Sequence, residues 1–334
     1  MKLRRTIATI LGGLLLCLPI VGCNKKSDGK VIRLSEVTHS IFYAPLYVAI
    51  NNGYFGDYGI KIKLSNGGGS NNVMTAIASK SADIGLMGPE ATVYCHVEGQ
   101  KDYPVIFGQL TQRDGSFLVA KNPEPNFTWA DTAGKHILAG RKGGMPAMTL
   151  EYVMNQAGVD TSGANFDTTV QFDVMVGAFE GSNSCDYCTM FEPTASEFQA
   201  AGKGYIVASV GEASGYVPYT AFSAKKSYIE KNKDTVTDFL RAVIRGYNYI
   251  QENDPETIAK ALEKSFSGSP LSSIAAAVEN YRSIDAWCHS PVMKEESFTL
   301  LQDVMENAGE LSARADYAAA VDNTIANAVA AELL

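Results

Sequence analysis

The sequence predicts an α/β protein of two lobes with a helical C-terminus, and three observations lead to this fold class. Short apolar strands alternate with helices from Lys30 to about residue 224, as in sheets that carry helices on both faces. The residues after that point are patterned almost entirely as helix. The chain has 334 residues, which is enough for two domains of ordinary size.

The N-terminus has the pattern of a bacterial lipoprotein signal. The charged start "MKLRR" precedes an apolar run over residues 7–21, and "LPIVGC" then puts Cys23 where a lipobox has its cysteine. The apolar run is shorter than the roughly 20 residues that a membrane span needs. We therefore expect residues 1–22 to be a signal peptide, Cys23 to carry lipid, and residues 23–30 to form a flexible tether on the extracytoplasmic face of the cell membrane.

Charge and cysteine content narrow the choice of partners. The formal net charge is −8, and an acidic chain argues against binding to nucleic acid. Cys185 and Cys188 form a C-x-x-C motif without a second pair or a histidine at zinc spacing, so we expect no metal site. A redox role is disfavoured because "CDYCTMF" is patterned as a strand. A local disulfide and two inert thiols remain alternatives.

A first set of elements, up to the start of the second lobe, follows from the strand and helix patterns in chain order. The predicted elements are the strand "KVIRLSEV", a helix "FYAPLYVAINNG" ended by Gly53, the strand "IKIKLSN", a helix "NNVMTAIASK" capped by Asn71 or Asn72, the strand "ADIGLM", a helix "EATVYCHVEG" after Gly88-Pro89, and the strands "YPVIFGQL" and "SFLVA". This alternation indicates a largely parallel sheet.

The second lobe repeats the pattern, and the chain then returns to the first. The predicted elements are the strand "KHILAG", a helix over 146–157, the strands "TTVQFDVMV" and "CDYCTMF", a helix "PTASEFQAAG", and the strands "YIVASV" and "VPYTAFSA". Crossings near 111–115 and 215–219 would form a two-segment hinge. The expected boundaries are residues 31–114 and 219–334 for lobe 1 and residues 115–218 for lobe 2.

The loops at the strand ends are the expected ligand site, because ligands of open α/β sheets bind beyond the carboxyl ends of strands. Five such loops lie at 39–43, 66–70, 88–90, 143–145 and 192–193. The stretch "RKGGMP" has two readings. The glycines serve a tight turn before a helix, or their N–H groups form a cradle for an anion beside two cationic side chains.

Several stretches resemble the solute-binding proteins of ABC importers in the sulfonate and thiamine-pyrimidine-precursor family. "THSIFYAPLYVAINNGYFGDYGI" and "SADIGLMGPEA" resemble the first lobe of that family, and "RKGGMPAMTLEY" and "FEPTASEF" resemble its second lobe. The resemblance covers nearly the whole chain after the signal. It implies a bilobal type II periplasmic-binding fold, in which hinge closure traps the ligand between the lobes.

Fungal pyrimidine synthases share that fold, so an enzyme is the alternative of another class. Those proteins have a cysteine-rich motif in the region that matches "GYVPYTAF", which has no cysteine here. They also use a reactive histidine where this chain has Gly88-Pro89-Glu90, and His96 lies deeper in the predicted helix. Both departures favour binding over catalysis, and we predict no catalytic residue and no cofactor.

The candidate ligand-binding residues share positions at strand ends or on the crossings: His39, Ser40, Tyr43, Asn66, Gly88, Glu90, Arg113, Gly143, Gly144, Met145, Glu192 and Tyr219. Tyr43 could stack on a planar ligand or pack in the core. Glu90 and Glu192 could accept hydrogen bonds from a heteroaromatic ligand or could serve a helix N-terminus, and Glu192 is favoured as the ligand contact. Arg113 could pair with a ligand anion or with its neighbours.

The function expected from the resemblance is a lipid-anchored, monomeric receptor that delivers a small solute to an ABC permease and its ATPase. The tyrosine and the carboxylates favour an amino-bearing heteroaromatic solute such as a thiamine pyrimidine precursor. The Arg141-Lys142-Gly143-Gly144 stretch favours an alkanesulfonate or another small organic anion. A sensor that signals rather than transports remains a third alternative, and an enzyme acting through Cys185, Cys188 or a histidine a fourth.

Overall fold

A computed structural model describes residues 29–163 and 165–334 and contains two five-stranded sheets. The expected signal peptide, Cys23 and most of the tether lie outside the described residues. The first sheet has the order β2-β1-β3-β10-β4, and the second has the order β7-β6-β8-β5-β9. The strands are β1 Lys30–Glu36, β2 Ile60–Asn66, β3 Ile84–Met87, β4 Pro104–Thr111, β5 Ser116–Ala120, β6 Ile137–Leu138, β7 Phe166–Asp167, β8 Tyr187–Phe191, β9 Tyr205–Ser209 and β10 Thr220–Lys225.

Helices surround both sheets. They are α1 Ala44–Asn51, α2 Tyr54–Asp57, α3 Ser70–Ala78, α4 Glu90–Val97, α5 Met145–Gln156, α6 Met175–Gly181, α7 Thr194–Ala200, α8 Val210–Ser214, α9 Lys226–Lys231, α10 Lys233–Glu252, α11 Pro255–Leu262, α12 Leu271–Ser283, α13 Glu295–Asn307, α14 Tyr317–Ala320 and α15 Thr324–Leu333. Short 3-10 turns lie at Ile41–Tyr43, Trp129–Thr132 and Phe172–Val174. Within the described part of the chain, none of these helices is both long and apolar enough to span a bilayer.

The two-lobed α/β class and the helical C-terminus are confirmed, but each sheet is mixed. β1, β2 and β3 are parallel, as are β6, β7 and β8, whereas β10 runs antiparallel to β3 and β4, and β5 antiparallel to β8 and β9. β5 and β10 are the strands that follow the two crossings. Each of them begins at the end of its sheet that is nearer to the other lobe. It is therefore antiparallel to the neighbouring strands that finish at that end.

The helical C-terminus is held by the predicted apolar face of α10. Val236, Phe239, Leu240, Val243 and Ile244 are all fully buried. α10 also packs closely on α1, because a Cβ at Gly246 would lie 2.0 Å from the carbonyl oxygen of Pro45. The C-terminal helices therefore belong to the core of the first sheet.

Two predictions of local structure are wrong. "TTVQFDVMV" alternates apolar and polar residues and suggests a strand, but the chain forms a 3-10 turn at Phe172–Val174 and then α6. Met175 and Phe179 are both buried and lie four residues apart, on one face of a helix. Their burial therefore favours α6 over a strand. The third helix begins at Ser70 after Gly69, so neither asparagine caps it, and Asn72 Nδ2 donates to the carbonyl oxygen of Gly67 at 2.7 Å instead.

Candidate functional site

A cavity of about 110 Å³ lies between the two sheets, several times the space that one water molecule needs. Strand-end loops of both sheets form its wall, as expected from the topology. The lining residues are Val37, Thr38, Tyr43, Gly68, Gly69, Ser70, Asn71, Asn72, Gly88, Arg141, Gly144, Met145, Pro146, Gln171, Phe172, Phe191, Tyr219 and Thr220. The cavity therefore has the location and the mixed polar and apolar lining of a small-molecule site.

Aromatic side chains from both lobes form the apolar part of the wall. Tyr43 is the last residue of the 3-10 turn after β1 and is 2 % exposed, and Tyr219 directly precedes β10. Phe172 and Phe191 belong to the other lobe and pack edge to face at 5.4 Å between ring centroids. This arrangement can hold a planar apolar or heteroaromatic group on more than one side.

Glu90 lies behind the cavity wall with an unused carboxyl group. The residue is 1 % exposed, and neither carboxyl oxygen has a hydrogen-bond partner of good geometry within the described residues. A Cβ at Gly88 would lie 1.8 Å from Glu90 Oε2, so the carboxyl group folds back against a glycine that lines the cavity. A larger residue at position 88 would push the Glu90 carboxyl group out of this position.

Burial controls the protonation of Glu90. Desolvation raises the pKa of its carboxyl group to about 7, against the opposing effects of the Ser70 hydroxyl, the local backbone N–H groups and the positive charge of Arg141. At neutral pH the group can therefore be either a hydrogen-bond donor or a carboxylate acceptor. A buried acid without a partner costs stability, which is typical of a group kept for a ligand.

A second buried acid, Asp114, lies on the first crossing. Its Oδ1 accepts hydrogen bonds from the backbone N–H and the hydroxyl of Ser116, both at 2.6 Å. Its Oδ2 has no such partner, and neither do the hydroxyls of Thr149 and Tyr219, although both hydroxyls lie beside the carboxyl group. Burial raises the pKa of Asp114 to about 7. Neither Asp114 nor Thr149 is among the candidate residues that the sequence predicts.

The glycine pair acts mainly as a turn. Gly143 has the positive φ of 69°, whereas Gly144 has a φ of −97° and donates its N–H to the carbonyl oxygen of Arg141 at 3.0 Å. The Gly144 N–H is thus already used and is not available to a ligand. Gly144 and Met145 line the cavity, but Gly143 does not; its carbonyl oxygen accepts from the Tyr94 hydroxyl of the other lobe at 3.2 Å.

The cationic residues next to this turn have different surroundings. Arg141 lines the cavity and donates to the carbonyl oxygen of Lys142 at 3.2 Å. Lys142 is 76 % exposed and pairs with Glu310 at 3.4 Å, away from the cavity lining. The anion cradle expected from "RKGG" therefore reduces to the guanidinium of Arg141 and the adjoining start of α5.

His39 and Asn66 lie outside the cavity lining. The two ring nitrogens of His39 lie 3.1 Å from Glu36 Oε1 and 2.8 Å from the carbonyl oxygen of Ser265, and its ring stacks on Phe266. Asn66 Oδ1 accepts from the backbone N–H of Gly68 at 2.9 Å. Local packing therefore explains the position of His39, and a turn explains the hydrogen bond of Asn66.

Glu192, Ser40 and Arg113 also lie outside the lining and join the lobes instead. Glu192 Oε1 accepts from Ser196 Oγ at 2.7 Å and from Asn280 Nδ2 at 2.6 Å, so its carboxyl group has protein partners. Ser40 Oγ donates to the Glu192 carbonyl oxygen at 2.8 Å. Arg113 donates to the carbonyl oxygen of Gly211 at 3.1 Å and lies over the ring of Tyr216.

The four cysteines of the described residues are free and buried. Cys185 and Cys188 therefore form no disulfide with each other, and neither lines the cavity. Burial raises the pKa of Cys188 well above its ordinary value. Cys185 Sγ lies 3.5 Å from His136 Nδ1. Among the residues that the structure covers, no group of three or more potential metal ligands is present.

Comparisons with known proteins identify the family. Residues 41–258 match the family model described as "NMT1/THI5 like". The chain is also 36 % identical over 323 residues to the "Putative binding protein YtlA" of Bacillus subtilis (strain 168), covering 96 % of each sequence. The chain belongs to the NMT1/THI5-like family. The family expected from the sequence is thereby confirmed.

Solved structures agree with this family at the level of the fold. The chain is similar to the alkanesulfonate-binding protein SsuA from Xanthomonas axonopodis pv. citri bound to MOPS, with a TM-score of 0.70, 18 % identity, and coverage of 89 % of this chain and 99 % of that one. It is also similar to the nitrate-binding protein NrtA from Synechocystis PCC 6803, with a TM-score of 0.68, 18 % identity, and coverage of 92 % and 89 %. This NMT1/THI5-like chain thus has the bilobal fold of periplasmic binding proteins.

Proposed function

We propose that this protein is the solute-binding component of an ABC importer and that it captures an amino-bearing heteroaromatic solute, such as a thiamine pyrimidine precursor. The single observation that carries the solute class is the unpartnered carboxyl group of Glu90 behind a cavity with aromatic walls. A ring N–H or amino group can donate to that carboxylate while the ring packs against Tyr43. The family and the fold support a binding role.

Binding would be coupled to closure of the two lobes. The cavity wall comes from strand-end loops of both sheets, and the chain crosses between them near residues 112–115 and 215–219. A ligand that contacts both walls favours the closed arrangement over the open one. The lobe boundaries expected from the sequence, the lipid anchor at Cys23, the monomeric state and delivery to a permease and ATPase are part of this proposal.

A small organic anion is the second candidate, and Arg141 in the cavity wall favours it. The names of SsuA and NrtA point the same way, since those proteins are described as binding alkanesulfonate and nitrate. Glu90 argues against this alternative. An anion beside Glu90 would require that carboxyl group to remain protonated, whereas a donor-bearing ring gains a charge-assisted hydrogen bond from it.

The test is isothermal titration with 4-amino-5-hydroxymethyl-2-methylpyrimidine and, separately, with ethanesulfonate at pH 7.5. We expect the pyrimidine to bind and Glu90→Gln to weaken its binding by about 1.5–3 kcal/mol, the range for a hydrogen bond to a charged group. Asp186→Asn is the matched control, because this acid lies on the other lobe, is 43 % exposed and is not in the cavity lining. Binding of ethanesulfonate alone would overturn the solute class in favour of the anion.

A further inference from the structure

Asp114 and the two hydroxyl groups beside it form a polar cluster next to the hinge. Tyr219 lines the cavity, whereas Asp114 and Thr149 are buried outside its lining. Asp114 is fully buried on the first crossing, Thr149 is fully buried on α5, and Tyr219 lines the cavity directly before β10. They come from three separate chain segments. The carboxyl oxygen Oδ2 and the two hydroxyl groups lie close together, and none has a well-formed hydrogen bond in the described structure.

Unused hydrogen-bonding capacity of this kind needs an explanation. A buried acceptor without a partner costs free energy, and native structures leave few such groups without a reason. The other oxygen of the same carboxyl group is fully satisfied by Ser116, so Asp114 is held in a fixed orientation. A fixed acid whose second oxygen has only two loosely placed hydroxyls beside it, each able to turn to donate or accept, has the features of a ligand-recognition point.

We propose that Asp114 is a ligand-binding residue that determines specificity, and that its Oδ2 accepts a second N–H or O–H donor of the solute while Thr149 and Tyr219 complete the contact. This inference rests on the proposed function, because it concerns the same solute, which would reach Asp114 beside the ring of Tyr219 in the cavity wall. It adds that the solute carries two donor groups at separate positions, one for Glu90 and one for Asp114.

The position of Asp114 gives this contact a second consequence. The backbone of Asp114 packs tightly against α8 of the other crossing region, since a Cβ at Gly211 would lie 2.0 Å from the Asp114 carbonyl oxygen. A donor bound to Asp114 would therefore be held between the first crossing, α5 and the start of β10. The contact links the ligand to both lobes and to the hinge, which favours the closed arrangement.

Proton release on binding would report a solute donor in contact with the Asp114 carboxyl group. The groups that face the Asp114 carboxyl are the neutral side chains of Ser116, Thr149 and Tyr219, and burial holds its pKa at about 7. A donor from the solute would favour the carboxylate, so binding at pH 7 should release about half a proton from Asp114 and a similar amount from Glu90. An anionic solute would instead cause proton uptake.

The experiment is titration calorimetry with 4-amino-5-hydroxymethyl-2-methylpyrimidine at pH 7, in two buffers of different ionisation enthalpy. We expect Asp114→Asn to weaken binding about tenfold to a hundredfold and to remove about half of the proton release. Asp186→Asn should change neither. Asparagine keeps the Oδ1 contacts with Ser116, and Thr149→Val provides a second variant, with an expected loss of about threefold to tenfold, if Asp114→Asn melts early.

The outcomes separate the two proposals. Binding that Asp114→Asn and Thr149→Val weaken by less than twofold, with unchanged proton release, would overturn the role of Asp114 and leave the proposed solute class standing. A buried water molecule would then provide the hydrogen bonds of Asp114 Oδ2 and of the Thr149 and Tyr219 hydroxyls. If the pyrimidine does not bind to the wild-type protein and ethanesulfonate binds with proton uptake, both proposals are overturned.

Discussion

Replacing Glu90 by glutamine should stabilise the protein at alkaline pH. The carboxyl group is buried without a well-formed hydrogen bond, and burial raises its pKa from 4.5 to about 7. Because the folded state then holds the proton more tightly than the unfolded state, the free energy of unfolding falls as pH rises from about 4.5 to 7. At about 1.4 kcal/mol for each pH unit of that interval, the wild-type protein loses about 3 kcal/mol by pH 8.

Glutamine stays neutral and avoids this loss. We therefore expect Glu90→Gln to exceed the wild type by about 3 kcal/mol in free energy of unfolding at pH 8 and to match it near pH 4. Urea unfolding of both proteins across this pH range measures the difference. Ligand affinity should change in the opposite direction, since the same substitution replaces a charged acceptor by a neutral amide. Such a gain in stability with a loss of binding is typical of functional residues.

Glu192→Gln is the matched control for this experiment. Glu192 is a buried glutamate beside a proline at a helix start, but its carboxyl oxygens accept hydrogen bonds from Ser196 and Asn280. Its replacement should lower the free energy of unfolding at pH 8 by about 1–3 kcal/mol. If Glu90→Gln is no more stable than the wild type at pH 8, or resembles Glu192→Gln, the Glu90 carboxyl group is not an unpaired buried acid and the reasoning fails.

Three further predictions concern the turn, the contact between the lobes and the thiols. Gly143→Ala should cost about 1–2 kcal/mol in urea unfolding because of the positive φ of residue 143, and an unchanged midpoint would contradict this. Tyr94→Phe removes the hydroxyl contact with Gly143 across the lobes and should weaken solute binding by about 0.5–1.5 kcal/mol, with a larger radius of gyration of the free protein in small-angle scattering. The double variant with Cys185→Ser and Cys188→Ser should bind the solute as the wild type does, because both thiols are free and outside the cavity lining; a loss of solute turnover would favour an enzyme.

The sequence predicts those features of the site that depend on local structure. Tyr43, Gly88 and Met145 line the cavity because each lies where a strand gives way to a helix, and glycine and proline mark such positions. The family motifs lie at the same positions. The fold class and the placement of the cavity at strand ends could therefore be predicted from the pattern of the chain.

The features that depend on distant segments could not be predicted in this way. Glu90 and Glu192 have similar local sequence, but the Glu192 carboxyl group accepts hydrogen bonds from Ser196 and from Asn280, which α12 brings from a distant segment. Phe172 lies in a predicted strand, because the alternation over "TTVQFDVMV" hides the helical spacing of the residues after it. Asp114 acquires its importance from Thr149 and Tyr219, which are close to it only in the folded protein.

A thermal-shift panel tests the central claim most directly, namely that the cavity binds a donor-bearing heteroaromatic ring through Glu90. The panel compares 4-amino-5-hydroxymethyl-2-methylpyrimidine, its analogue without the amino group, and ethanesulfonate on the wild-type protein and on Glu90→Gln. A ligand at about 100 times its dissociation constant adds about 2.7 kcal/mol of stability. We expect the aminopyrimidine to raise the melting temperature of the wild type, the analogue to raise it less, and Glu90→Gln to reduce the difference between the two. An increase with ethanesulfonate alone, undiminished in Glu90→Gln, would contradict the account.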